Sequence, residues 1–85
     1  MPIISRFYGI LIYMYWRDHS PPHSHAKYQG MEITVEIETG HVEGRISAKA
    51  LRLVQKWRQL HKAELLQNWK CAEEKRVLMP IEPLE

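Results

Sequence analysis

The sequence predicts an α+β protein: a small antiparallel sheet of about four to five strands in the N-terminal half, packed by a long or kinked C-terminal helical region. Three observations predict it. Residues 31–39, MEITVEIET, alternate apolar and polar side chains, the period of a strand with one buried and one wet face. Residues 10–16, ILIYMYW, are β-branched and aromatic and follow a glycine. Residues 48–61, AKALRLVQKWRQLH, repeat their apolar side chains at helical spacing instead.

In chain order, IISRF (3–7) is a short strand that turns through Tyr8-Gly9 into ILIYMYW. Pro21-Pro22 forbids helix and stiffens the connection to a third strand, HSHAKY (23–28), which Gln29-Gly30 ends. In the fourth strand Met31, Ile33, Val35 and Ile37 face the core, while Glu32, Thr34, Glu36 and Glu38 face water. Gly40 closes it, and HVEGRI returns as a short strand. Ser47 is a good N-cap for the first helical segment. There Ala50, Val54, Trp57 and His61 form the inner stripe, widened by Leu51, Leu53 and Leu60. A second segment, KAELLQNWKCAEE, turns Leu65, Leu66, Trp69 and Ala72 inward, with Cys71 packing nearby. No Gly or Pro separates the segments, so one helix kinked near His61 is an equal expectation. The tail VLMPIEPLE holds Pro80 and Pro83, cannot be helical, and is expected to run extended along a sheet edge.

Eighty-five residues fit a single domain, 1–85, with a modest core. A composition of 26% charged and 45% hydrophobic residues is that of a folded globular chain. The net charge of +2 does not by itself call for nonspecific nucleic-acid binding. The longest apolar run, FYGILIYMYW (7–16), falls far short of the roughly twenty residues that span a bilayer. The start MPIISRF lacks the features of a secretory leader, and Cys71 has no second cysteine to pair with. A reducing, cytoplasmic setting without membrane contact is therefore expected.

Chemistry concentrates in DHSPPHSHA (18–26). His23 and His25, two apart on a strand, share one face, about 6–7 Å apart along it. His19 approaches from the other side of the turn. One reading is metal binding, with His19, His23 and His25 as three ligands to zinc or another divalent ion. A second is metal-free acid–base cleavage of a phosphodiester: one imidazole takes a proton and the other returns one to the leaving oxygen. Arg6, Arg17 or Lys27 would then stabilise the added negative charge, with Tyr28 as a further donor. The third is a structural turn, with Asp18 capping its own backbone and the histidines packing against Tyr13, Tyr15 and Trp16.

Two further patterns carry charge. Lys49, Arg52 and Lys56 line the outer stripe of the first helix, which suits either a phosphate backbone or plain solvent. Glu32, Glu36 and Glu38 on the fourth strand suit either a cation or ordinary exposure.

MPIISRFYGILIYMY, DHSPPHSHA, ALRLVQKW, AELLQNW and the closing IEPLE together resemble a family of small bacterial proteins, domain of unknown function 4160. The Asp-His-x-Pro-Pro-His-x-His segment is its most specific mark. The family tends to carry an aromatic between the last two histidines, where this chain has Ser24. The resemblance implies a genetic neighbour from domain of unknown function 2442 and a type II toxin–antitoxin arrangement, with this chain as the toxin. It supplies no established catalytic residues.

Two functions are expected from this. The first is a toxin, a small endoribonuclease with His23 and His25 as the proton-transfer pair and Asp18 and His19 orienting them. Tyr28, Arg6, Arg17 and Lys27 would lie at the phosphate, and Lys49, Arg52 and Lys56 along the nucleic acid. It requires no cofactor. Its partners are an antitoxin-like protein and RNA, with DNA as the other candidate and self-association open. The alternative is a non-enzymatic subunit that holds a metal or a partner within a two-protein regulatory complex.

Overall fold

A computed structural model describes residues 2–85. Strands β1 (Ile3–Phe7), β2 (Ile10–Tyr13), β3 (His23–Tyr28), β4 (Met31–Glu36) and β5 (Val42–Gly44) form one antiparallel sheet in the order β1-β2-β3-β4-β5. Helices α1 (Ala48–Leu60) and α2 (Lys62–Glu73) follow, giving the α+β fold that the two periodicities predict.

Two of the connections are two-residue hairpins. Tyr8 and Gly9 have φ of 50° and 80°, and Gln29 and Gly30 have 49° and 79°. A pair of left-handed residues matches the twist of the flanking strands, and glycine takes the second position without a Cβ penalty. These turns pair Phe7 with Ile10 and Tyr28 with Met31, which sets the register of everything downstream.

Alternation then sorts the side chains. Ile10, Ile12, Ala26, Ile33 and Val35 are buried on one face, in one core with Ala50, Val54 and Trp57 of α1. Trp57 meets Phe7 at 5.4 Å between ring centroids. The other face carries Leu11, Tyr13, His23, His25, Lys27, Glu32, Thr34 and Glu36.

Several boundaries differ from the sequence expectation, each for a local reason. β2 ends at Tyr13, not Trp16. The Met14 N–H bonds to Pro2 O, and the chain then leaves the sheet: Arg17, with φ of 55°, gives its N–H to Ala72 O of α2. The Trp16 indole N–H reaches Arg76 O. β4 ends at Glu36, not Thr39, because the Ile37 N–H turns to Pro22 O and the Gly40 N–H closes a turn onto Glu36 O. Ile37 nevertheless stays buried with Ile33 and Val35.

Ser47 caps α1 by accepting from the Ala50 N–H. The helices separate at His61, whose φ of −119° is not helical. Hydrogen bonds from His61 N to Trp57 O and from Leu65 N to His61 O still run through the break. The result is a kink in a continuous ladder, held by the 2.6 Å contact of His61 Nδ1 with Glu64 Oε1. Leu60 falls outside the buried stripe and is exposed, whereas Leu65, Trp69, Cys71 and Ala72 are buried.

The tail after α2 has no regular element but is firmly placed. Leu78, Ile81 and Leu84 are buried. The Ile81 N–H bonds to Ile4 O on β1, an edge strand, so the tail covers part of an edge that would otherwise offer free backbone groups. The Trp57 indole N–H bonds to Glu82 O.

Gly44 in β5 has φ of 100°, and a Cβ there would lie 2.6 Å from Glu32 O. Gly44→Ala is expected to cost about 1–3 kcal/mol from backbone strain alone, with the clash added. That lowers Tm by about 4–8 °C per kcal/mol in a domain of this size. Gly30→Ala is the comparison in a circular-dichroism melt, because Gly30 shares the positive φ but has nothing within 4 Å of the added carbon. Gly44→Ala is expected to be the more damaging of the two.

Candidate functional site

The turn between β2 and β3 brings Asp18 over the start of β3. His23 and His25 stand on the face of the sheet opposite α1, with ring centroids 5.2 Å apart. Both converge on one oxygen: His23 Nε2 lies 3.0 Å and His25 Nε2 3.1 Å from Asp18 Oδ2. Asp18 Oδ1 accepts the His19 backbone N–H at 2.9 Å and lies 2.9 Å from His19 Nδ1. The side chains of His23, His25 and Asp18 are only 6%, 12% and 15% exposed, whereas that of His19 is 83% exposed.

Aromatic side chains wall the cluster. The Tyr13 ring stacks on His25 at 5.1 Å, and Tyr15 meets His25 edge-on at 4.8 Å. Trp69 from α2 lies 5.2 Å from His23. Packing against Tyr13 and Tyr15, expected of a purely structural turn, therefore coexists with the convergence on Asp18. Ser24 is buried and points to the opposite face by strand parity, so the position where the family tends to carry an aromatic does not face the histidines.

Burial raises the Asp18 carboxyl. The hydrogen bond from His25, the His19 backbone N–H and the nearby His23 and His19 charges outweigh it, and Asp18 stays below its ordinary value. Burial lowers the His25 imidazole below the ordinary histidine value. Its bond to Asp18 opposes that shift and does not overcome it. His25 is therefore neutral at pH 7, donating Nε2–H to Asp18.

His23 differs. Its Nδ1 lies 2.7 Å from Pro21 O, and a carbonyl oxygen only accepts, so Nδ1 carries the proton. In the neutral ring Nε2 then points a lone pair at the Asp18 carboxylate. A cation between them, either a second ring proton or a metal ion, makes that contact favourable. Among the described residues Asp18, His23 and His25 form a set whose ligand atoms all lie within 4.8 Å of one another. The third donor in this set is Asp18, where the sequence suggests His19.

Beside the cluster is a pocket of about 240 Å³ lined by His19, Pro21, His23, Thr34, Glu36, His41 and Glu43. Strand register explains its walls: His23 pairs with Glu36, His25 with Thr34, and Thr34 with Glu43. Thr39 Oγ1 donates to Glu36 Oε1, and His41 Nε2 lies 3.6 Å from Glu43 Oε2. Glu36 belongs to the acidic strand face read from the sequence, which shares this side of the sheet with the histidines. His41, Thr34 and Glu43 carried no functional reading in the sequence.

The basic and phenolic residues divide. Arg6, Leu11, Lys27 and Glu32 form one cross-strand row, placing Arg6 and Lys27 on the histidine face. Lys27 is two residues, about 7 Å, beyond His25. Arg17 immediately precedes Asp18 and is exposed. Tyr28, expected near the reacting phosphate, instead lies on the α1 face, about 17 Å along β3 from His23. It lines a separate pocket of about 460 Å³ with Tyr8, Leu53, Lys49 and Lys56. Arg52 is exposed on α1 outside that lining.

Fold and site together define a class: a small α+β protein whose antiparallel meander displays a carboxylate–imidazole cluster on the face away from its first helix. The family model described as Domain of unknown function (DUF4160) matches residues 9–70, which include the whole cluster. The chain belongs to that family. Comparison with curated proteins and with solved structures returns no match. Among the described residues no helix is long and apolar enough to cross a membrane.

Proposed function

We propose that this chain is the toxin of a type II toxin–antitoxin module, a small cytoplasmic endoribonuclease that works at Asp18, His23 and His25. The observation that supports this is the convergence of two imidazoles on one carboxylate oxygen beside a pocket. A turn needs no such arrangement, and perturbed, partly buried titratable groups at a cleft are where proton transfer is concentrated.

RNA carries its own nucleophile. One imidazole takes the 2′-hydroxyl proton, the 2′-oxygen attacks the adjacent phosphorus, and the P–O5′ bond breaks as the other imidazole, in its protonated form, gives a proton to the 5′-oxygen. Asp18 orients the two rings. Arg6, Arg17 and Lys27 offset phosphate charge from the same region of the molecule, and Tyr28, Lys49 and Lys56 offer a second, remote contact to the strand. An antitoxin-like partner neutralises the chain by covering the histidine face.

The test is growth of a bacterial host after induction of the chain, beside His23→Ala and His25→Ala versions at equal soluble levels. The parent is expected to arrest growth and the variants to be tolerated, with RNA cleavage reduced by about a hundred- to ten-thousandfold. Equal growth of all three would remove the toxin reading.

A further inference from the structure

We infer that Asp18 Oδ2, His23 Nε2 and His25 Nε2 form a binding site for one divalent transition-metal ion of the zinc type, beside the pocket that Glu36, His41 and Glu43 line. The site does not depend on the toxin reading, and an ion bound there takes the place of metal-free proton transfer by His23 and His25.

Four observations converge on it. The first is donor chemistry: two neutral imidazoles and one carboxylate suit zinc and its first-row neighbours, whereas magnesium and calcium take oxygen ligands. The second is spacing. Ligand atoms about 2.0–2.1 Å from a tetrahedral zinc lie about 3.3 Å from one another. Here the oxygen stands 3.0 and 3.1 Å from the two nitrogens, and all three ligand atoms lie within 4.8 Å of one another. An ion requires a small shift of each side chain and a change of the His25 tautomer, its ring proton moving from Nε2 to Nδ1 to free the Nε2 lone pair.

The third is the supporting shell. The Nδ1–H of His23 is fixed on Pro21 O, which directs the Nε2 lone pair toward the cluster. A ligating histidine is held this way by its other ring nitrogen. The free oxygen of Asp18 is likewise held, by the His19 backbone N–H. The lone pair of His23 facing a carboxylate is an unfavourable pair that a cation resolves. The fourth is the neighbourhood. Glu36 and Glu43 give the adjoining pocket a negative character, which attracts a cation. Three protein ligands leave a position for water or substrate, the arrangement of catalytic rather than structural zinc.

When bound, such an ion lowers the pKa of its water and polarises a phosphoryl oxygen. His23 and His25 are then ligands, and proton transfer passes to other groups.

The experiment uses the full chain purified without a histidine tag and freed of metal by a chelator. Zn²⁺ is titrated calorimetrically into the parent and into Asp18→Ala, His23→Ala, His25→Ala and His61→Ala variants. One ion per chain is expected for the parent and for His61→Ala. Loss of a supporting partner alone costs 10–100-fold in affinity, so removal of a ligand is expected to cost about a hundredfold or more. Mg²⁺ is expected not to compete. Because a ligand variant can fail to fold, the parent is also loaded with Co²⁺ and with Zn²⁺. An intense four- or five-coordinate cobalt absorption and a zinc X-ray absorption shell of two imidazoles without sulfur are expected.

Absence of stoichiometric Zn²⁺ binding by the parent, sulfur from Cys71 in the shell, or unchanged binding in all three ligand variants overturns the site. The two proposals separate cleanly. Protein that takes up no stoichiometric Zn²⁺ but still cleaves RNA through His23 and His25 defeats the metal site and keeps the nuclease. Stoichiometric zinc in a chain that never arrests growth does the reverse.

Discussion

Asn68→Ala is expected to lower the unfolding free energy by about 2–4 kcal/mol, the range for leaving a donor and an acceptor poorly satisfied. Asn68 is 1% exposed, and its side chain copies a strand ladder. Nδ2–H donates to Met79 O at 2.8 Å, and Oδ1 accepts the Met79 N–H at 2.8 Å. This one side chain fastens α2 to the tail, and the tail supplies Leu78, Ile81 and Leu84 to the core. Each is worth about 1.5–3 kcal/mol when buried, so release of the tail also loses apolar burial. Urea unfolding measures the total. Hydrogen exchange at Ile81, whose N–H crosses to Ile4 O, tells local release from global loss. Asn68→Asp sharpens the test, because a carboxylate still accepts from Met79 N–H but cannot donate to Met79 O.

Such a clamp is invisible in the sequence, where Asn68 is a polar residue among helical apolar ones. What the sequence does show is short-range physics. β1 and β3 have the predicted limits because a left-handed-prone pair, Tyr8-Gly9 or Gln29-Gly30, bounds each on one side. Ser47 is legible as a cap because its serine precedes the apolar helical repeat. The ends of β2 and β4 are not legible in this way. They are set by backbone bonds from Met14 to Pro2, from Arg17 to Ala72 and from Ile37 to Pro22, contacts that no local propensity encodes.

The candidate site divides along the same line. That His23 and His25 share a face follows from strand parity alone. Nearness in sequence groups Tyr28 with them, but parity separates an even position from two odd ones. A two-residue turn at Gln29-Gly30 places Glu36 opposite His23, so the union of the histidines with the acidic strand face was readable from register. The choice of Asp18 over His19 as the shared partner was not. It depends on how Arg17, at positive φ, delivers the chain from α2 back to the sheet.

That delivery makes Asp18 the residue on which the site turns, and two substitutions there are expected to have different outcomes. Asp18→Ala removes the acceptor of the nearly buried His25 Nε2–H, the carboxylate that faces His23 Nε2, the His19 backbone contact and the local negative charge. A stability loss of about 1–3 kcal/mol is expected from the stranded groups, together with loss of growth arrest. Asp18→Asn keeps the shape and retains one oxygen as an acceptor, so its melting curve is expected to stay within about 1 kcal/mol of the parent. Its growth arrest is nevertheless expected to disappear, because a neutral amide neither balances an imidazolium nor binds a divalent ion as a carboxylate does. Combined with His25→Ala, Asp18→Asn is expected to add little further loss, since residues acting as one unit are far from additive. Additive losses in that double variant would mean that Asp18 and His25 work separately, and the shared oxygen would then be a consequence of packing alone.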